Sequence, residues 1–188
     1  TIEHTAPAIW HNGNAVRYED CLKSATQIAD SFNGEPIVFI DSESICDLVC
    51  HLAAAQLTGR VAWLGNRSEC SENDFQSSGV VLPTSGTTGP PKYVFHTWET
   101  LASAVCHQTR FRSGRWLRGY SPQRFAGLQV ILQALLTGGC LVVPSDRSPE
   151  AAWEAIAQGE ASRVSGTPSF WRSLLRVKTG GASSLSLQ

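Results

Sequence analysis

No methionine occurs among the 188 residues, an initiator included, so either the start was processed or the chain is a piece of something longer. Charge of one sign is also missing: 15 Lys and Arg against 16 Asp and Glu leave a formal net charge of -1. That balance gives no overall pull toward nucleic acid or an anionic membrane, and neither is expected as a partner. No apolar run is long enough to cross a bilayer. The opening Thr1, Ile2, Glu3, His4 and Thr5 lack a basic region followed by an apolar stretch, so no signal peptide is visible. Six cysteines are too few and too scattered for a disulfide scaffold, and reduced thiols in a cytoplasmic protein are expected. With 42% hydrophobic and 16% charged residues, the chain can build a packed core and is not globally disordered.

What is present reads as an α/β chain. Residues 8–18 carry an Asn12-Gly13 turn signal between two short apolar-containing runs, a hairpin pattern. Residues 19–32 place Leu22, Ala25, Ile28 and Ala29 at helical spacing, and Asn33-Gly34 supplies the stop. A short strand over 36–40, a helix over 42–57 ended by Gly59, and a strand over 60–65 follow. This alternation predicts a parallel sheet with helices packed on it. Residues 66–78 are polar and turn-like. The expected organisation is therefore a front α/β subdomain over 1–65, a linker over 66–78 and a second α/β subdomain over 79–188. In that second part the pattern gives strands at 79–83, 116–120, 140–143 and 163–165. It gives helices at 97–107, 126–136, 149–158 and from Pro168 to about 177. Pro149 stands at a first helical position, where its missing N–H is harmless.

One segment has a chemical logic of its own. Thr84-Ser85-Gly86-Thr87-Thr88-Gly89-Pro90-Pro91-Lys92 follows a β run directly. Gly86 and Gly89 permit backbone angles closed to other residues and let the chain approach a ligand closely. Thr84, Ser85, Thr87 and Thr88 offer hydroxyls and backbone N–H groups that can wrap phosphate oxygens as an anion nest. Lys92 adds a point charge suited to a polyphosphate. Ser, Thr, Gly and Pro also dominate plain surface turns, but the order here is more particular than composition requires. The common ATPase loop needs Gly-Lys-Ser/Thr with a helix directly after it, whereas a proline precedes Lys92 and a strand-like Tyr93-Val94-Phe95 follows.

These nine residues closely resemble the signature of the adenylate-forming superfamily, which includes acyl- and aryl-CoA synthetases, nonribosomal peptide synthetase adenylation domains and luciferase. Residues 93–101, 121–128, 136–139 and 164–171 resemble later family segments more loosely, and Arg124 occupies the place where many members carry a histidine. The resemblance implies a partial N-terminal domain built from layered parallel or mixed sheets with packed helices. It implies ATP-dependent activation of a small-molecule carboxylic acid as its acyl-adenylate, with coenzyme A or a carrier protein as acceptor. Thr84, Ser85, Gly86, Thr87, Thr88, Gly89 and Lys92 would hold ATP, with Lys92 catalytic. Arg124, Phe125, Gly127, Gly166 and Thr167 would line the acid pocket. Magnesium is implied by the polyphosphate, and its protein ligand is not found in this sequence. The family's Tyr-Gly-x-Thr-Glu segment, its ribose-binding aspartate and its mobile C-terminal domain are absent, so a truncated domain with weak or no turnover alone is expected. The alternative is a non-catalytic nucleotide- or partner-binding module of the same fold.

Other constellations carry less. Cys46, Cys50 and His51 lack the second close pair of a structural zinc site and are expected in the core; no metal site is expected. Cys106 and His107 are sequence neighbours, which on a helix point about 100° apart, so adjacency is no argument for contact. Arg110, Arg112, Arg115 and Arg118, interleaved with Phe111 and Trp116, form a basic aromatic patch that the neutral chain assigns to a solvated rim rather than to nucleic acid, the alternative being contact with the phosphates of coenzyme A or a carrier arm.

Overall fold

The computed structural model describes residues 3–70, 75–84, 92–159 and 161–180, the side chains of 178–180 aside. At the front, Asn12 and Gly13 both take positive φ, 50° and 77°. Such turns twist in the sense of the strands they join, here the antiparallel pair β1 (Pro7–His11) and β2 (Asn14–Arg17). Next come α1 (Tyr18–Asp30), β3 (Ile37–Phe39), α2 (Ile45–Leu57) and β4 (Val61–Trp63). The Ser44 hydroxyl caps α2 by accepting from the Asp47 N–H, and Gly59 at φ 67° ends it in a left-handed conformation closed to most side chains. The remaining elements are β5 (Gly79–Pro83), β6 (Tyr93–Thr97), α3 (Trp98–Ser103), β7 (Arg115–Leu117), α4 (Phe125–Leu136), β8 (Cys140–Val143), α5 (Pro149–Gly159), β9 (Arg163–Val164) and α6 (Pro168–Gly180).

Two mixed sheets result. One runs β2-β1-β8-β7-β9, with β1, β8, β7 and β9 parallel and β2 antiparallel at the edge. The other runs β3-β4-β5-β6, parallel except for β6. Each sheet draws strands from both sides of the 66–78 segment. Within that segment Arg67–Glu69 forms a single helical turn, and Cys70 and Phe75 pack against the second sheet.

Side-chain alternation along the strands sets the layers. Leu141 and Val143 face inward with Ile9, while Val80 and Leu82 face inward from the other sheet. Leu48, Leu52, Leu128 and Ile131, from α2 and α4, fill the space between. Val142 and Leu117 face outward onto Trp153, Ile156 and Leu174 of α5 and α6. Val61, Trp63 and Val81 face outward on the second sheet beneath Tyr93 and Phe95. Burial on both faces explains why β8 reads as an unbroken apolar run. Burying one such aliphatic side chain contributes about 1.5–3 kcal/mol.

Two expectations are corrected. The opening hairpin does not join the sheet of β3 and β4; β1 pairs with β8, more than 120 positions later in sequence, a non-local pairing that local periodicity does not encode. The helix expected over 97–107 ends at Ser103. Its continuation is captured instead by Gln133 of α4, whose amide accepts from the Cys106 N–H at 2.8 Å and donates to the Cys106 carbonyl at 2.9 Å. This pair of bonds to a side chain replaces the next helical turn.

Cys21 and Cys50 are buried where α1 meets α2, and Cys46 is half-buried beside them. The interaction between the Cys21 and Cys50 thiols pushes Cys21 up, as burial also does, and draws Cys50 below the ordinary thiol value against the opposing effect of burial. Among the described residues no group of three or more His, Cys, Asp or Glu side chains is arranged to hold a metal ion.

Candidate functional site

The β5–β6 pair positions the conspicuous segment. Its register runs from Gly79 opposite Thr97 to Pro83 opposite Tyr93, and Thr84 and Lys92 extend it by one step. Both the Thr84 N–H, at 2.7 Å, and the Thr84 hydroxyl, at 2.9 Å, donate to the Lys92 carbonyl. The two ends of the motif are thus tied together by one residue. Ser85, Gly86, Thr87, Thr88 and Gly89, with Pro90 and Pro91, lie outside the described residues.

The N-terminus of α4 meets the end of β5. Arg124 is the residue before the helix, and its side chain makes no cap; its guanidinium donates instead to the Pro83 carbonyl at 3.3 Å. Phe125 lies against the His96 ring, centroids 5.0 Å apart at 41°. By alternation, Lys92, just before β6, falls on the same side of the sheet as Val94 and His96, and Lys92 and Val94 are exposed there. The structure therefore brings Thr84, Lys92, Arg124 and Phe125 to one end of the second sheet.

Gly127, Gly166 and Thr167 take structural places. A Cβ on Gly127 would lie 1.9 Å from the Ser121 carbonyl oxygen, so the glycine is what lets α4 start so close to the preceding turn. A Cβ on Gly166 would run into the Phe170 ring. The Thr167 hydroxyl accepts from the Phe170 N–H at 3.1 Å and so caps α6. Gly166 and Thr167 follow β9, and Arg124 follows β7, its parallel neighbour. Gly166 and Thr167 thus lie just past the C-terminal end of β9, the sheet edge at which open α/β sheets bind ligands.

The sequence reading missed an aromatic buttress beside Lys92. Tyr93 stacks on Trp63 at 4.6 Å and 26°, and its hydroxyl donates to the Glu69 carboxylate. Its ring occupies the space over Gly65, where a Cβ would lie 2.4 Å from Cε1. Burial and the Glu69 bond push the Tyr93 phenol up, while the nearby positive charge of Arg124 opposes them. The available signal was the period-two pattern of Tyr93 and Phe95 with Trp63 two strands away. Assigning Glu69 needed the turn at Arg67–Glu69, which polar composition hides.

Together, two cations and a run of Ser, Thr and Gly bounded by a pinned hairpin make an arrangement suited to a polyanion. Residues 12–187 match the sequence model of a family described as AMP-binding enzyme. The chain is 37% identical over 102 residues to the nonribosomal peptide synthetase valB of Aspergillus terreus, covering 52% of this chain and 4% of valB. Its fold matches the Vibrio cholerae adenylation domain AlmE, solved with glycyl-adenosine-5'-phosphate, with a TM-score of 0.77 at 15% identity. That match covers 94% of this chain and 49% of AlmE. It also matches the O-succinylbenzoate coenzyme A synthetase of Bacillus subtilis, solved with ATP and magnesium, with a TM-score of 0.68 at 16% identity, covering 91% of this chain and 62% of that one. Fold and motif together define the N-terminal α/β architecture of adenylate-forming enzymes. The chain belongs to the AMP-binding enzyme family. It spans about half the length of the solved adenylation domain it matches and a small fraction of the curated synthetase.

Proposed function

We propose that this chain supplies the ATP-phosphate site of an enzyme that activates a carboxylic acid as its acyl-adenylate and passes the acyl group to a thiol of coenzyme A or a carrier protein. The observation that carries this reading is the β5–β6 hairpin, which pins Thr84 to Lys92, with Arg124 bonded to the carbonyl of Pro83, the neighbour of Thr84. The donor set fits a triphosphate. Both Thr84 donors are already spent on Lys92, so Thr84 closes the stem, while Ser85, Thr87, Thr88 and the glycine amides hold the β- and γ-phosphates. An oxygen of the carboxylate attacks the α-phosphorus, and the bond to the pyrophosphate oxygen breaks. Lys92 neutralises the departing charge, and Arg124 and Phe125 face the incoming acid. Catalysis of this kind is mostly positioning and charge stabilisation. Magnesium, when bound to the triphosphate, would add further charge neutralisation. The chain alone turns over weakly or not at all.

The test is a titration of Mg-ATP into this chain and into a Lys92→Ala, Thr87→Ala variant. Saturable binding that the variant loses supports the reading. Absence of binding by the intact chain refutes a phosphate site complete within it. Robust acid-dependent exchange of labelled pyrophosphate into ATP by this chain would overturn the weak-turnover claim.

A further inference from the structure

A second positively charged site lies at the C-terminal ends of β7 and β8. A cavity of about 140 Å³ opens there, lined by Arg118, Tyr120 and Ser121 after β7, Arg147 and Ser148 before α5, and Phe170 of α6. Its walls are close-fitting: a Cβ on Gly119 would lie 2.4 Å from the Ser165 carbonyl oxygen.

The charges in this cavity are unbalanced. The Arg118 backbone N–H is spent on the Val142 carbonyl, but its side-chain Nε is buried with no hydrogen-bond partner. Among the described residues no carboxylate lies within ion-pair distance of the Arg118 guanidinium. The charge it feels is Arg147, of like sign, and burial followed by that repulsion lowers its proton affinity. The one acid on the wall, Asp146, is fully exposed and turned to Ser148, whose N–H it accepts at 2.6 Å. A half-buried guanidinium without a counter-charge is costly, and two guanidiniums sharing one cavity are costlier still. An anion relieves both at once through charge-assisted hydrogen bonds. The N-terminus of the 11-residue α5 adds a partial charge of the same sign.

We propose that this cavity is an oxyanion subsite in which the Arg118 and Arg147 guanidiniums hold a carboxylate or phosphate group. Ser121 carries the site to the candidate nucleotide site, since its carbonyl accepts the Arg124 N–H at 3.1 Å. The oxyanion is either a second acidic group on the activated acid or a phosphate of the thiol acceptor. That attribution rests on the carboxylate-activation reading; the subsite itself stands on the geometry.

The experiment is an amide NMR titration of the chain with inorganic phosphate and, separately, with succinate, at fixed ionic strength and with or without saturating Mg-ATP. The expected result is saturable shifts at Gly119, Tyr120 and Ser148 that persist in Mg-ATP, with affinity falling about tenfold in Arg147→Ala and in Arg118→Gln. Asp146→Asn should tighten binding by removing a repelling charge from the wall. Tighter phosphate binding assigns the site to the acceptor, and tighter succinate binding assigns it to the acid. No saturable shift with either anion, or unchanged shifts in Arg147→Ala, overturns the proposal. Arg147 is exposed, so its variant tests the site even if Arg118→Gln fails to fold. Loss of Mg-ATP binding with these shifts intact would count against the nucleotide site alone.

Discussion

Replacing Gly65 with alanine should cost far more than an exposed turn glycine would. The new Cβ would lie 2.4 Å from Tyr93 Cε1 and 2.6 Å from its hydroxyl oxygen. A flexible side chain would swing aside, but this ring is held twice, by its stack on Trp63 and by its bond to Glu69. Overpacking costs about 1–3 kcal/mol, and losing an aromatic pair about 0.5–1.5. Alanine recovers about 0.4–1 kcal/mol by restricting the unfolded chain. The net expectation is a loss of about 2 kcal/mol. With a urea slope of about 2 kcal/mol per molar, the unfolding midpoint should fall by about 1 M. Tyr93→Ala removes the obstacle, so in that background Gly65→Ala should be neutral or slightly stabilising. The pair then shows a coupling of about 2 kcal/mol in a double-mutant cycle. Urea unfolding followed by tryptophan fluorescence measures all four chains. Equal costs of Gly65→Ala with and without Tyr93 would refute the buttress. Because Tyr93 adjoins Lys92, Gly65→Ala should also weaken Mg-ATP binding if the proposed site is correct.

Thr84→Val keeps the branched shape and the backbone bond but removes the hydroxyl from the Lys92 carbonyl. The expected cost is about 0.5–1.5 kcal/mol of folding stability, read as a fall of about 0.2–0.8 M in urea midpoint, and if the stem belongs to the proposed site Mg-ATP affinity should fall as well by calorimetry; unchanged affinity would remove the stem from the site. The Tyr18 hydroxyl bonds to the Leu135 and Gly139 carbonyls at 3.0 and 2.7 Å, and burial raises its pKa above the ordinary value of 10. The folded chain therefore holds this proton more tightly than the unfolded one. The stabilisation is complete below about pH 10 and is lost as pH rises above it. Tyr18→Phe should be less stable at neutral pH by about 1–3 kcal/mol, because two carbonyls lose their donor. Its stability should also decline less between pH 9.5 and 11, measured by urea midpoint; a parallel decline in both chains would contradict this account.

Local signals in the sequence determined most of the elements. The Asn12-Gly13 turn, the Gly59 stop, Pro149 at the start of α5 and the run of β8 were legible because each is fixed by the backbone freedom or burial of a few adjacent residues. The motif from Thr84 to Lys92 was legible for the same reason, since its glycines, hydroxyls and lysine fall within one short stretch of sequence. Tertiary structure alone decided which sheet each strand enters, because β1 meets β8 through a pairing that leaves no local trace. It also decided that α3 stops where Gln133 takes over the backbone, that Tyr93 stands on Trp63 above Gly65, and that Thr84 spends its donors on Lys92. Each of these depends on side chains brought together from distant segments, and sequence spacing does not record such distances.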